Sequence, residues 1–523
     1  MSSALGQIGS IVLTDLKLRL RRPATLWLVV ALSGMAYMLI PDPATGRALM
    51  VVNGARALYT SQVIATTTAA LAGFLLTFVG FYLTSNTLRR DLLARTGGII
   101  AATPVSSGNF LVGKWLGGAA YLGMVGLFYL LNVMAMHLLR GEGALEPFTY
   151  LLTYLIILGP AVLVVAALAL CFECIPLLAG RLGDVGYFFL WTFLLALGAI
   201  GSQGGTGQFL DILGIGFVLQ QVNGATGATN ISIGMTPFDP SVSPWLLPPL
   251  SLAPGWLIPR LVTASLAIPV LVVARLSFHR FDPAKIRGRD QGSGGRWIPR
   301  ISQALKPLTR PVSTLGAGLV PAAPEAIRPV LAETVMTFGQ SPMIAVAWLG
   351  VLATTLIGSA ATVRHTLPLV VAVILAIALA DLSTRDRAAG TLGMLFSMPR
   401  MRPGYAWIKM GAATLLALLF CVPPAVRIAF SSPAAALSLV IAAGFMAALA
   451  TALGFLSRTP KAFMGVFLLF LYLVLNGAQA PGLDFAGSNG VATGSTRVGY
   501  LLATVLLFGL AAGKHRSDLL RER

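Results

Sequence analysis

The sequence predicts an all-α protein, a polytopic transmembrane helix bundle of about 12 spans built as two homologous six-helix halves with both termini cytoplasmic. Three observations carry that expectation. Apolar runs near 20 residues recur along the chain, the length that crosses about 30 Å of hydrocarbon at about 1.5 Å per residue. Only 11% of the residues are charged against 56% hydrophobic, with a mean hydropathy of +0.82. A soluble chain carries about 25% charged residues, and so few charges would not cover a soluble fold of this size. Finally, one polar segment of the first half returns in the second.

In the first half the apolar runs are 24–40, 61–85, 115–139, 147–174, 185–202 and 257–278. In the second they are 343–359, 367–382, 405–421, 434–456, 462–475 and 498–512. Ahead of the first run, Leu13, Leu16 and Leu20 share one helical face and Lys17, Arg19, Arg21 and Arg22 accompany them. A period-two reading is also present at 16–21, but an isolated strand leaves its backbone unpaired. An interfacial amphipathic helix with arginines at headgroup level is expected, and Pro23 suits the start of the next helix. The N-terminus lacks the short apolar core and small-residue cleavage site of a signal peptide.

Positive charge alternates between connections. Arg89, Arg90, Arg95 and Lys114 sit between the second and third runs, and Lys514, Arg516, Arg521 and Arg523 at the C-terminus. A central segment carries Arg280, Lys285, Arg287, Arg289, Arg296, Arg300, Lys306 and Arg310, whereas 203–259 has no Lys or Arg. The positive-inside rule puts the termini and the centre in the cytoplasm and 203–259 outside. The same distribution accounts for the net charge of +19 through anionic lipid, with no nucleic acid partner. The expected domains are residues 1–280, with a large outer loop at 203–250, a cytoplasmic linker at 281–324, and 325–523. The linker reading rests on Gly292-Ser293-Gly294-Gly295, several prolines and little visible apolar period. Within the outer loop, 209–219 is apolar but too short to span, so a helix or hairpin resting at the outer surface is expected.

The repeat aligns 90–114 with 385–409 at a constant offset of 295. Identities are Arg90/Arg385, Asp91/Asp386, Ala94/Ala389, Thr96/Thr391, Gly98/Gly393, Pro104/Pro399 and Lys114/Lys409, and Phe110 faces Tyr405. Chance would give roughly one or two identities over such a window, so duplication explains it better. A weaker echo links Leu13-Thr14-Asp15 before Pro23 with Leu331-Ala332-Glu333 before Pro342. The segment is expected to form a short helix at the membrane face. Asp91 and Asp386 would sit at its N-terminus, where the dipole favours carboxylates, and Pro104 and Pro399 would end it. Lys114 and Lys409 would hold their ammonium heads at the interface on re-entry. A plain basic flank and turn would explain Arg90 and Lys114 but not five further matches in register.

This pattern, Asp-x4-Thr-x-Gly-x5-Pro-x9-Lys, resembles the cytoplasmic segment after the second helix of ABC type-2 permeases. Residues 385–392 fit well, whereas Arg95 stands where the family has glycine before Thr96; conversely 103–106 fits the proline region better than 398–401. The basic N-terminal stretch and the apolar 209–219 occupy the places of the family's interfacial helix and re-entrant segment, while 477–497 is short and polar. The resemblance implies a permease subunit of an ATP-driven exporter in a bacterial inner membrane. Arg90, Asp91, Thr96, Gly98, Pro104 and Lys114, and their counterparts Arg385, Asp386, Thr391, Gly393, Pro399 and Lys409, would then be ATPase-coupling residues. The partners would be two copies of a cytoplasmic ABC ATPase binding ATP and magnesium, so the chain itself holds no cofactor and is not an enzyme. Whether one chain suffices or two pair is open, and so are the substrate and the pathway-lining residues.

Other chemistry is excluded residue by residue. Gly108–Lys114 matches G-x4-G-K, but Trp115 stands where Ser or Thr must reach magnesium. Cys171 and Cys174 form one C-x-x-C without a second pair, and His137, His279, His365 and His515 have no ligand spacing, so no metal site is expected. No cluster of His, Asp, Glu or Ser at one depth points to a membrane enzyme. The rival is an ion-coupled carrier of the major facilitator type, which needs ionisable groups inside the bilayer. In the spans Glu173, Asp381 and Arg275 lie only near the cytoplasmic ends.

Overall fold

The computed structural model describes residues 4–21, 23–93, 96–201, 205–228, 230–250, 252–279, 297–398, 401–477 and 479–521. It divides into two units, residues 1–293 and 294–523. Among the described residues nine helices are long and apolar enough to cross a membrane, and the bent pair Arg328–Gly339 and Pro342–Ile357 would make a tenth. The chain is therefore a helical, multi-pass membrane protein.

The first unit runs α1 (Ala4–Leu20), α2 (Pro23–Leu39), α3 (Ser61–Thr84), α4 (Thr87–Leu93), α5 (Gly97–Ala102) and α6 (Ser107–Arg140). It continues with α7 (Pro147–Cys174), α8 (Arg181–Gly201), α9 (Ile215–Thr226), α10 (Pro254–Ser265) and α11 (Ala267–Ser277). The core lies where α3, α6 and α7 pack, with Ile64, Tyr129, Tyr150 and Ile157 among the buried side chains. α1 lies along α6, where Gly113 and Gly117 present no side chain to Ile11 and Asp15, the close approach that small residues permit.

Strands were not expected, yet β1 (Arg47–Val52), β2 (Ala55–Arg56) and β3 (Ile231–Pro237) form an antiparallel sheet in the order β2-β1-β3. The signal was present in Val51-Val52-Asn53-Gly54-Ala55. Asn53 and Gly54 both take positive φ, 49° and 85°, as a two-residue hairpin turn demands. A six-residue strand carries too short a period to stand out among apolar runs of about 20 residues. The sheet is tied to the α6–α7 connection. The Arg56 guanidinium grips Glu142 with two bonds of 2.7 and 2.8 Å, and Glu142 also accepts the Tyr59 N–H at 2.9 Å.

The outer loop holds a helix, one of the two forms expected for 209–219, but it starts later, at Ile215, and runs on to Thr226. After a 3-10 turn at Gly205–Leu210, the backbone turns at Asp211 and enters α9. Asp211 is buried and accepts the N–H groups of Gly214 and Phe217 at 3.0 and 2.8 Å. Its backbone carbonyl also accepts from Arg260, which donates to Ile156 O at 3.1 Å and Ile157 O at 2.7 Å on α7. Pro160 has no N–H, so the Ile156 carbonyl lacks its partner inside the helix, and Arg260 supplies one. This buried pair was missed because Arg260 sits within the sixth apolar run.

The second unit runs α12 (Trp297–Ala322), α13 (Arg328–Gln340), α14 (Pro342–Ile357), α15 (Leu367–Leu379), α16 (Arg385–Ala388) and α17 (Leu392–Phe396). It ends with α18 (Met401–Ala429), α19 (Pro433–Ser457), α20 (Pro460–Asn476) and α21 (Gly494–Arg521). Much of the segment expected as a linker, 281–324, is thus the 26-residue helix α12, packed on α13 and α14. Its apolar period, Ile301, Leu305, Leu308, Val312, Leu315 and Leu319, is punctuated by Pro307, Pro311 and Pro321, which disguise it. The glycine-rich part of that linker lies outside the described residues. The last turns of α6 and α18 play one role. Arg140 donates to Tyr37 O and Ile40 O at the end of α2, and Arg427 to Thr355 O and Gly358 O at the end of α14. Cations placed there satisfy carbonyls that helix ends leave open.

The hydrogen bonds from Arg56 hold the Glu142 carboxyl below the ordinary glutamate value despite partial burial. A group depressed on folding contributes stability above its unfolded pKa and loses it as pH falls. Glu142→Gln should therefore lower the melting temperature at pH 7, and the gap to wild type should close as pH falls below about 4. Thermal unfolding followed across pH checks both the sign and the window.

Candidate functional site

The residues singled out by the repeat converge in each unit on a largely buried charge cluster, with Asp15 and Lys409 at its most enclosed points, capped by an exposed turn. In the first unit α1 delivers Asp15, the end of α4 delivers Arg90 and Asp91, and the first turns of α6 deliver Lys114. The Lys114 ammonium lies 2.9 Å from Asp91 Oδ2 and 3.6 Å from Asp15 Oδ1, and Arg90 reaches Asp15 Oδ1 at 3.2 Å. In the second unit α13 delivers Glu333, α16 delivers Arg385 and Asp386, and α18 delivers Lys409. Arg385 lies 2.7 Å from Glu333 Oε1, and the Lys409 ammonium bonds to Glu333 and lies 2.6 Å from Asp386 Oδ2. Two carboxylates face one lysine and one arginine in both. The weak echo between Asp15 and Glu333 thus marks members of the same constellation, brought in from a separate helix.

Aromatic rings complete the match. Lys114 lies 5.6 Å from the Phe110 ring centre and Lys409 5.4 Å from that of Tyr405, cation–π contacts one turn back on the same helix. The copies then diverge. Tyr405 adds a hydroxyl that donates to Asp386 at 3.0 Å, which Phe110 cannot do. The first unit adds Arg19, which bonds to Asp15 at 2.7 Å and spreads its other donors over Leu83 O, Thr84 O and Thr87. Glu173 accepts the N–H groups of Thr87 and Leu88 at 2.9 and 2.7 Å and so holds the start of α4. Burial pushes the Asp15 carboxyl up, but Arg19, Lys114 and Arg90 together outweigh it and hold the group below the ordinary aspartate value.

Three expectations are corrected here. The segment is not one helix but two short ones, α4 then α5 and α16 then α17, broken at a turn. In that turn the N–H of Thr96 and its hydroxyl both bond to Asp91 O at 3.0 Å. Thr391 bonds to Asp386 O in the same way, at 3.0 and 3.2 Å. Asp91 therefore lies at the end of α4 and serves Lys114, not a helix N-terminus. Asp386 does lie in the first turn of the four-residue α16, as expected, and from there it also serves a lysine. Lys114 and Lys409 do not hold their heads at an interface, since their side chains are 9% and 2% exposed. Two carboxylates within reach draw each ammonium inward, where pairing offsets the loss of water.

The rest of the repeat faces solvent. Thr96, Gly98, Pro104, Thr391 and Gly393 are exposed, and Pro399 lies outside the described residues, as do Ala94 and Arg95. Ile99 and Met394, at matching positions, are each 69% exposed. A Cβ added at Gly98 or Gly393 would meet no atom within 4 Å, so nothing in the chain itself demands glycine there. No group of His, Cys, Asp and Glu fit to hold a metal occurs among the described residues. No family model matches the chain, and no curated protein or solved structure matches it either.

Removing one partner of a buried ion pair leaves the others uncompensated and costs about 3–5 kcal/mol. Lys409→Met should therefore destabilise the second unit by about that much. Adding Glu333→Leu should recover part of the loss, because it withdraws one of the two stranded carboxylates. Chemical denaturation in a double-mutant cycle reads the coupling directly.

Proposed function

We propose that this chain is the membrane-spanning permease subunit of an ATP-driven bacterial exporter in the inner membrane, worked by two copies of a separate cytoplasmic ABC ATPase. The observation that carries the reading is the duplicated unit just described, an exposed turn mounted on a largely buried charge cluster in both halves. In this reading about twelve spans cross the bilayer. That count takes the nine long helices, the bent pair as one, and the shorter apolar helices Leu28–Leu39 and Pro460–Asn476. Both termini and both repeats then face the cytoplasm, and the sheet faces outward, as the distribution of Lys and Arg favours.

The physics supports coupling at these turns. Thr96, Gly98 and Ile99, and likewise Thr391, Gly393 and Met394, form a crest without long side chains at the glycine, open to close approach by another protein. Exposed Arg89 and Arg387 flank the two crests. Beneath each, the lysine ties the turn to two further helices, α1 and α6 or α13 and α18. A push on the crest therefore moves those helices together, because separating the charges would strand them in a buried setting. An ATPase that binds ATP differently in its open and closed forms would bias the bundle between two states through these contacts. ATP and magnesium belong to the partner.

The carrier alternative gains nothing from Arg260 and Asp211. A guanidinium stays charged in proteins, and here it is spent on backbone carbonyls. Asp211 is bonded by two N–H groups and serves as a fixed cap.

The test is co-purification of the tagged chain with the ATPase encoded beside it, followed by ATP hydrolysis. Gly98→Leu with Gly393→Leu should fold like wild type, since both Cβ positions are open, yet lose the ATPase and its permease-dependent hydrolysis. A folded double variant that binds and hydrolyses like wild type sinks the coupling assignment. Transport by the chain alone under a proton or sodium gradient sinks the permease reading.

A further inference from the structure

Arg19, Arg140, Arg260, Arg427 and Arg497 each spend their guanidinium groups on carbonyls or hydroxyls of the chain. Arg364 does not. It stands in the π-helical turn Thr362–Thr366 that leads into α15, at the opposite end of that helix from Arg385 and Asp386. Breaks of this kind in a helix often mark functional positions. Arg364 is half-buried, and among the described residues its guanidinium has no hydrogen bond and no carboxylate within 4 Å. Nε is enclosed without a partner, whereas both Nη groups reach the surface.

The surroundings are ordered and hold no spare negative charge. His365, the next residue, donates from Nδ1 to Ser488 O at 2.5 Å and pins the loop 484–492 to the π turn. Gly490 brings that loop against Arg364, for a Cβ there would lie 3.6 Å from an Nη atom. Asp484, the acid of the loop, is fully buried and accepts the N–H groups of Asn489, Val491 and Ala492. Ser488 is 1% exposed, and its hydroxyl lacks a partner among the described residues. The groups left open at this junction can all donate, so what it lacks is an acceptor. Ser359 caps the start of the helix by accepting the Thr362 N–H at 3.1 Å. Arg364 therefore lies near the positive end of the helix dipole, which disfavours a cation and favours an anion beside it.

We propose that Arg364 is the centre of an anion site that takes a phosphate-type oxyanion, its two Nη groups donating to the oxygens. The planar guanidinium matches phosphate geometry, and charge-assisted bonds of this kind are the strong ones. The headgroup of an anionic lipid and a soluble phosphate ester share this chemistry. The site belongs to the second unit alone and holds whether or not an ATPase drives the chain.

The experiment uses the full chain in neutral detergent, without any ATPase. Phenylglyoxal modifies accessible guanidinium groups, and mass spectrometry maps the adducts, with exposed Arg89 and Arg387 as internal controls. Phosphatidylglycerol should slow modification of Arg364 saturably, by about tenfold, and leave Arg387 nearly unchanged. A parallel arm with glycerol phosphate separates the sources. Protection by the lipid alone assigns a headgroup, and protection by the ester assigns a soluble ligand; either supports the site. In native mass spectrometry Arg364→Gln should bind the protecting ligand about tenfold more weakly, and Arg364→Lys, which keeps the charge but not the fork, should recover only part. Protection by neither probe overturns the proposal, and so does equal protection at Arg387 or full binding by a folded Arg364→Gln variant. Should that variant not fold, protection of the wild type decides alone.

Discussion

The arrangement of both units depends on one constraint: a lysine placed at the start of a helix that dives into the bundle must find carboxylates. Lys114 and Lys409 each find two, one from the preceding short helix and one from a helix far back in the chain. That choice fixes much else. It brings α1 onto α6 and α13 onto α18, and it holds the α4 and α16 segments against the bundle. The geometry also leaves the following threonine to bond the carbonyl of the same aspartate, which sharpens the turn and lifts the glycine and its apolar neighbour outward. One residue type at one register thus links packing below with exposure above.

A second constraint concerns the backbone. A bundle this poor in charge has little polar side chain to spare, and water does not reach its interior, so every open carbonyl needs a donor. The few long donors are spent there. Arg260 serves the carbonyl that Pro160 leaves open on α7, and the Trp348 indole serves Leu419 O at 2.9 Å, which Pro423 leaves open on α18. Arg140 and Arg427 close the ends of α2 and α14. These cations read as ionisable groups in a span, but each is fully engaged in holding the chain together. Asp484 shows the converse in the second unit. It is fully buried and accepts from the N–H groups of Asn489, Val491 and Ala492 at 3.0 to 3.1 Å, which fixes the loop before α21.

Helices were legible because their signal is long and redundant. Each of the apolar runs read from the sequence is helical in the structure, and 147–174 matches α7 at both ends. What failed was short or disguised. Six residues of strand carry little period, and the Asn53-Gly54 turn is a two-residue signal set among long apolar runs. Three prolines masked the apolar period of α12. In the candidate site the repeat named Arg90, Asp91 and Lys114 and their counterparts, yet it assigned them to a dipole and an interface. Spacing places residues along one helix, and it is silent about which other helix supplies a counter-charge. Asp15 and Glu333 were visible as an echo; that they complete the clusters is a tertiary fact. Glu173 reaches the start of α4 from another helix, which no fixed spacing reveals; Arg19 and Tyr405 lie four residues from Asp15 and Lys409, but their bonds to the foot of α3 and to Asp386 are tertiary.

The differences between the two copies follow from the same bookkeeping of charge and backbone. In the first, Arg19 enters as a third cation, and Glu173 lies close enough to hold the start of α4. Position 337, four residues after Glu333 as Arg19 is four after Asp15, is Thr, whose hydroxyl donates to Glu333 O at 2.9 Å and accepts from Arg385 at 3.1 Å. The second cluster then has no surplus cation to offset, and it steadies Asp386 with the Tyr405 hydroxyl instead. The copies thus keep two carboxylates on one lysine and differ in which further residues brace the exposed turn. The first turn is anchored through Arg19 to the carbonyls of Leu83 and Thr84 at the foot of α3. In the second, among the described residues, the matching position offers only Thr337, and the Tyr405 hydroxyl on Asp386 braces the turn from α18 instead.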